Sequence, residues 1–278
     1  MAINLASKYS DKIAEQYSAN SFINNANINN EYDFHGVKSL TVYTPTTVEL
    51  GTYNRSAASN RFGTPTEMQD TTQTLELTQD ISFSITIDRG NNEDQMLIKE
   101  AGKMMSLQIK EKAVPTMDKY TLTQWVTKAW LSDQVTPTAE DIVDQIFDGA
   151  TKLDNALVSA ENRILYITAT NYNLLRLSNQ FLAVDNLAIK SLSKGMVGEI
   201  ADMKVIKVPD AYLTGAHFLI TQKQAVLRPV KIKTTRILKE VAGIDGAVLE
   251  GRFYYDAFVL DAKKKGVYAA KTTKTTGW

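Results

Sequence analysis

Side chains able to do chemistry are sparse in this chain and poorly placed for it. Among 278 residues there are two histidines, His35 and His217, and no cysteine. Disulfides, thiolate nucleophiles and cysteine-based zinc or iron–sulfur centres are therefore excluded. A Ser–His–Asp relay would have to use one of the two histidines. His35 falls in a polar N-terminal stretch and His217 opens an apolar run, so an ordinary surface or packing histidine fits both better. Carboxylates come in pairs: Glu93 with Asp94, Glu140 with Asp141, and Asp144 with Asp148. All three pairs fall at helix starts or on polar helical faces, where negative charge is favourable without any function. Acid–base work needs one carboxyl in a dry pocket, and nothing in the pattern points to one. Gly149, Gly195, Gly198, Gly243 and Gly246 are scattered, and no phosphate-binding glycine motif occurs. The one basic cluster is Lys263-Lys264-Lys265, followed by Lys271 and Lys274. It reads as a solvated turn and tail, or as a contact for an acidic neighbour or enclosed nucleic acid. No catalytic residue, cofactor site or metal site is expected.

The bulk numbers agree with a non-catalytic role. With 44% hydrophobic residues, a chain of this length buries roughly three quarters of its unfolded surface. Thirty-one basic and 31 acidic residues give a formal net charge of zero, which argues against a dedicated nucleic-acid binder. It leaves open a protein that merely encloses nucleic acid. Lys8, Asp11, Lys12 and Glu15 interrupt residues 1–18, so no signal-peptide core is expected there. No uncharged apolar run of about 18 residues exists, so no membrane span is expected either.

The elements suggest projecting arms. In residues 1–36, Leu5, Tyr9, Ile13 and Tyr17 recur every four positions along one helical stripe, ahead of an asparagine-rich tether. Residues 38–50 read as a strand broken at Thr44-Pro45. From Gly51 to Thr74 the only large apolar side chains are Tyr53, Phe62 and Met68, with a Gly63-Thr64-Pro65 turn. Alternation restarts at Leu75 and Leu77 and runs to Ile87, which predicts one long β-hairpin. An isolated hairpin is marginal in water and its edges invite pairing, so the excursion is expected to lie on a neighbouring subunit. The candidate interface residues are Tyr53, Arg55, Arg61, Phe62, Met68 and Glu76 on the hairpin, with Leu5, Tyr9 and Ile13 on the arm. Arg55 and Arg61, with Glu67, Asp70, Glu76 and Asp80, are candidates for charge pairs between subunits.

A long helix is expected to start at Asn91 or Asn92 and to stop before Pro115, because the residue preceding a proline avoids the α region. A second helical stretch is expected over 120–131, with Trp125 and Trp130. Pro137-Thr138 opens the best amphipathic helix, with Ile142, Ile146, Ala150, Leu153 and Leu157 on one face. Strands are predicted over 164–168, 203–208, 217–221 and 230–237, with a helix over 171–178 between the first two. The C-terminus reads as a hairpin, 253–261 and 267–270 around a turn at Lys263-Lys264-Lys265-Gly266. Strands and helices are interspersed without a regular βαβ rhythm, so the fold class is α+β.

Taken in order, these elements resemble the major capsid proteins of tailed bacteriophages, a fold shared with encapsulin nanocompartments. The stretch 108–120, ending Val114-Pro115-Thr116-Met117-Asp118-Lys119-Tyr120, is similar to the end of that family's spine helix. Residues 163–172 resemble a strand leading into a helix of its axial domain. Residues 251–262, opening Gly251-Arg252-Phe253-Tyr254-Tyr255-Asp256, resemble its closing strand. The resemblance implies an N-terminal arm at 1–36 and a first peripheral-domain strand at 37–50. It implies an extended loop at 51–80 and a peripheral domain at 81–137 with a spine helix at 92–113. An axial domain at 138–249 and a return to the peripheral domain at 250–278 complete it. It further implies a structural shell protein that assembles with copies of itself into hexamers and pentamers of an icosahedral capsid. Such a shell encloses double-stranded DNA without sequence-specific binding, and the protein is expected in the virion after assembly in the host bacterial cytoplasm. A scaffolding protein, a portal and a decoration protein are the further partners implied. Some members link subunits by isopeptide bonds from a loop lysine; no lysine lies between Lys38 and Lys99, so no such bond is expected. A nanocompartment shell, a monomeric soluble enzyme and a tail or fibre protein are the alternatives.

Overall fold

The computed structural model describes residues 21–32, 34, 38–94, 100–178, 196–239 and 241–272. Leu5, Tyr9, Ile13, Tyr17 and His35 lie outside the described residues. The chain runs through β1 (Ser39–Pro45), β2 (Asp70–Glu76) and β3 (Gln79–Asp88) into α1 (Arg89–Asp94). Then come α2 (Ala101–Gln108), a π-helical turn (Ile109–Ala113) and α3 (Val114–Thr127). They are followed by β4 (Leu131–Val135), α4 (Ile142–Asn155), β5 (Arg163–Thr168), α5 (Ala169–Leu177), β6 (Met196–Ile200) and β7 (Met203–Val208). The rest is β8 (Ala216–Gln222), β9 (Val226–Leu227), β10 (Val230–Leu238), β11 (Gly246–Tyr255), β12 (Phe258–Val259) and β13 (Val267–Thr272).

The runs of unbroken apolar residues build a central mixed sheet in the order β4-β13-β8-β5-β7-β6. Every residue of β5 is buried, as a strand covered on both faces requires. Ile164 and Tyr166 face a core that includes Trp125 and Leu122 of α3. Leu165 and Ile167 face Ile142, Ile146 and Leu153 of α4 and Leu175 of α5. Gly149 of α4 lies so close to the sheet that a Cβ there would stand 2.7 Å from the Tyr268 ring.

Where alternation is strict, the sheet is covered on one side only. β3, β11 and β10 form an antiparallel three-stranded sheet. Ile81, Phe83, Phe253 and Tyr255 on one face pack against Ile109, Ala113 and Met117 of the long helical stretch. Ile85, Ile87 and Leu249 meet Met104 and Met105. The other face carries cross-strand ion pairs, Arg252 with Asp80 and Arg236 with Glu250.

Five expectations are corrected. The alternation over 75–87 belongs to two strands: β2 pairs with β1, and β3 leaves to pair with β11. The helix expected from Asn91 or Asn92 is divided: α1 starts at Arg89, where the Asp88 carboxylate accepts the Asn91 N–H at 2.9 Å, and the long helical stretch starts only at Ala101, after an extended Glu100 (φ −71°, ψ 123°). Helix also continues through Pro115, which sits in the first turn of α3. Within an α-helix a proline clashes with the carbonyl four residues back. A π turn immediately before it, with Val114 N–H bonded to Ile109 O, widens the helix at that point. The second helical stretch stops at Thr127, and Leu131 opens the half-buried strand β4. The expected C-terminal hairpin does not form among the described residues: β13 is buried on both faces over Val267–Ala270 and inserts between β4 and β8.

β10, within 138–249, belongs to the three-stranded sheet, whereas β13, within 250–278, belongs to the central one. Leu157, placed with the core face of α4, lies beyond that helix with φ 60° and is 94% exposed.

Candidate assembly interface

The β1–β2 ribbon is rooted in the body at one end and free at the other. Leu75 and Leu77 are buried with Phe34, Leu227, Phe258 and Leu260, flanked by Leu40 and Val42. The Gln73 side chain adds a bond to Val259 O at 3.0 Å and accepts Asp261 N–H at 2.9 Å. Past Pro45 and Asp70 every residue of 46–69 is exposed except the half-buried Ala57. Leu50 is 100% and Phe62 90% exposed, and Val48, Tyr53 and Met68 are exposed as well. Such side chains gain about 1.5–3 kcal/mol each on full burial, and this chain does not bury them.

The order in this loop is local. Asn54 N–H bonds Arg61 O at 3.0 Å, and Gly63 N–H bonds Asn60 O at 2.8 Å. The Tyr53 and Phe62 rings meet edge to face with centroids 4.9 Å apart. Arg61 Nε donates to Ala57 O at 2.9 Å. The tip is thus a preformed shape with an exposed apolar surface.

The candidate charges divide. Glu76 pairs with Lys38 and Asp80 with Arg252, both within the chain. Arg55, Glu67 and Asp70 have no ion-pair partner among the described residues.

Two buried carboxylates anchor residues 21–23 and the root of the loop. Asp118 of α3 is 1% exposed. Its oxygens accept Ser21 Oγ at 2.8 Å, Phe22 N–H at 2.8 Å and Arg228 Nη1 at 2.7 Å. Arg228 Nη2 donates to Ile23 O at 2.8 Å, closing the clamp on residues 21–23. Burial pushes the Asp118 carboxyl above its usual value, and Arg228, Phe22 N–H and Ser21 offset part of that rise. Asp256, also buried, accepts Thr78 N–H and Oγ1 at 2.8 Å each, Tyr120 OH at 2.9 Å and Ala257 N–H at 2.7 Å. It therefore fixes the point where the chain leaves β2 for β3. Burial raises the Tyr120 phenol, and pushes the neighbouring Tyr255 phenol up to about 12. Residues 21–23 and the root of the loop are thus tied to one turn of α3, at Asp118 and Tyr120.

Neither Asp118 nor Asp256 stood out in the sequence as a site residue. The available signal was a charged residue inside a run that is otherwise core, Met117-Asp118 and Tyr255-Asp256. The groups first considered for chemistry lie elsewhere. His217 Nδ1 is 3.1 Å from the Asn171 amide, and burial lowers its pKa. Asp144 and Asp148 lie on the exposed face of α4. Among the described residues no group of three or more His, Cys, Asp or Glu side chains is placed to hold a metal. No described helix is long and apolar enough to cross a membrane.

No protein-family model matches the chain, and no curated protein sequence does. Solved structures match along almost the whole chain. A structure from Mycobacterium phage Che8 aligns with TM-score 0.76 at 18% identity, covering 97% of this chain and 98% of that one. The capsid structure of cyanophage P-SCSP1u aligns with TM-score 0.76 at 13% identity, over 98% and 94% of the two chains. The mature capsid of bacteriophage PhiM1 aligns with TM-score 0.72 at 12% identity, over 98% and 93%.

Proposed function

The chain has the fold of phage capsid structures, and we propose that it is a major capsid protein of a tailed phage. In this reading, copies associate into hexamers and pentamers of a closed icosahedral shell around double-stranded DNA. Its place is the virion, after assembly in the host cytoplasm with a scaffolding protein and a portal. The observation that carries the proposal is the loop 46–69. It exposes Leu50, Phe62 and Met68 on a body that leaves them unburied, while its root is fixed by Asp256 and the buried Leu75 and Leu77. A rooted, preformed, apolar projection gains by docking on a neighbour. Repeating one such heterologous contact around a ring, and between rings, closes a shell. Tyr53, Arg55, Arg61, Phe62 and Met68 are the loop's contact residues in this proposal, with Leu5, Tyr9 and Ile13 on the arm. Glu76 contributes through its bond to Lys38 at the loop's root.

The test removes the projection and leaves its root. Thr46 and Gln69 are already hydrogen-bonded across the ribbon at 2.8 Å, so replacing residues 47–68 by Asn-Gly gives a two-residue hairpin turn. The expected product is a folded subunit that makes no closed particles by negative-stain electron microscopy. Normal shells from this variant would refute the proposal.

A further inference from the structure

Away from the arms, three separated segments bring lysines to one end of the central sheet. Lys128 follows the last turn of α3, Lys223 follows β8, and Lys263, Lys264 and Lys265 lie in the 3₁₀ segment before β13. None of the five has a carboxylate at ion-pair distance among the described residues. Lys264 Nζ stacks 3.8 Å from the Trp130 ring centroid, and Trp130 is 58% exposed. Leu157, Ser159, Gln222, Lys263 and Lys265 line a cavity of about 240 Å³ beside them. Leu157, held out by its left-handed backbone, is almost wholly exposed at its rim. A basic surface with two large apolar side chains in it is unusual for a solvated end.

The same chain carries the complement. The outward face of α4 presents Asp144 and Asp148, with Phe147 between them 48% exposed. Glu140 stands exposed just before the helix. Glu140, Asp144 and Asp148 have no ion-pair partner among the described residues. The two surfaces are different patches, which is what a heterologous contact requires.

Resting on the shell reading above, we propose that the lysine-rich end of the central sheet docks on the outer face of α4 of a second copy of this chain. Lysines would meet Glu140, Asp144 and Asp148, and Phe147 would be covered by Leu157 and Trp130. A phosphodiester backbone fits the surface less well: it gains nothing from the two apolar side chains. The chain also carries no net positive charge to concentrate there.

Charge reversal tests the contact. K263E/K265E and D144K/D148K are each expected to lower the yield of closed particles at least tenfold at moderate salt, with the circular dichroism of the free subunit unchanged. Both reversals in one chain restore complementarity between copies, so that variant is expected to recover particles to within threefold of the unaltered protein. Shells insensitive to either reversal, or a combined variant that fails to recover, would overturn the contact. So would K263E/K265E shells of normal number that hold less nucleic acid, which would assign the lysines to phosphate instead. An unaltered protein that never forms closed particles would overturn the shell reading, and this contact with it.

Discussion

Asp118 shows how a single residue ties distant segments of the chain to one helix. A carboxylate buried this deeply is costly unless its charge is matched, and Arg228, Phe22 N–H and Ser21 Oγ supply the match. Removing the carboxylate strands Arg228 at 13% side-chain exposure. Asp118→Ala is therefore expected to cost about 3–5 kcal/mol, as for other broken buried pairs, by urea unfolding of the free subunit. The pH dependence has a definite sign. The folded-state pKa of Asp118 is raised by burial. The pH-dependent part of its contribution to stability is thus full below the ordinary carboxylate value of 3.8 and is lost as pH rises through the raised value. Asp210, held low by the Thr170 hydroxyl and N–H, has the opposite sign: its stabilisation is present above the ordinary value and fades as acid is added. Asp118→Asn should accordingly destabilise more near pH 4 than near pH 7. A penalty that grows toward pH 7 would contradict the burial argument.

At the scale of elements, legibility in the sequence followed how local the determinant was. β5, β7 and β8 were readable within a residue or two, because apolar runs bounded by turns need no knowledge of partners, and β10 was readable from the alternation that opens it. α4 was readable from its spacing, except that Leu157 continues the period beyond the point where the backbone turns left-handed. The passage of helix through Pro115 was not readable, since a π turn has no sequence signature of its own. β4 escaped because Leu131-Ser132-Asp133-Gln134-Val135 is short and becomes a strand only by pairing with β13, the last strand of the chain. β13 misled for the converse reason: the Lys-Lys-Lys-Gly turn signal is local, whereas its true partners β4 and β8 are distant. Packing between elements gives a test at this scale. Gly149→Ala would gain about 1 kcal/mol of helix propensity. The new methyl would press on the Tyr268 ring at 2.7 Å, and that ring is pinned by its hydroxyl bond to Asp133 at 2.7 Å. Overpacking of this kind costs about 1–3 kcal/mol. A net loss of up to about 2 kcal/mol in thermal or urea unfolding is expected, with helical content unchanged.

For the whole molecule, the proposed shell would have stability and assembly carried by different residues. The body is held by cores on both faces of the central sheet and by the helical stretch packed on the three-stranded sheet. The loop 46–69 contributes almost nothing to either. The sequence made this division visible in part, through the scarcity of large apolar residues between Gly51 and Thr74. It could not show that Leu50, Phe62 and Met68 would remain uncovered, because exposure depends on where the body ends. The division predicts a clean separation of phenotypes. In a variant carrying both Leu50→Ser and Phe62→Ser, two side chains that are 100% and 90% exposed become polar. Surface changes of this kind usually shift stability by no more than about 0.5 kcal/mol, so the melting curve of the free subunit should hardly move. If those side chains are buried between copies, each loss removes about 1.5–3 kcal/mol from every repeated contact. A shell multiplies that contact over all its subunits, so sedimentation should show free subunits and small oligomers in place of closed particles. Unchanged assembly would place the subunit contacts elsewhere than on the loop, whereas a collapsed melting temperature would mean that the loop helps to hold its own body together.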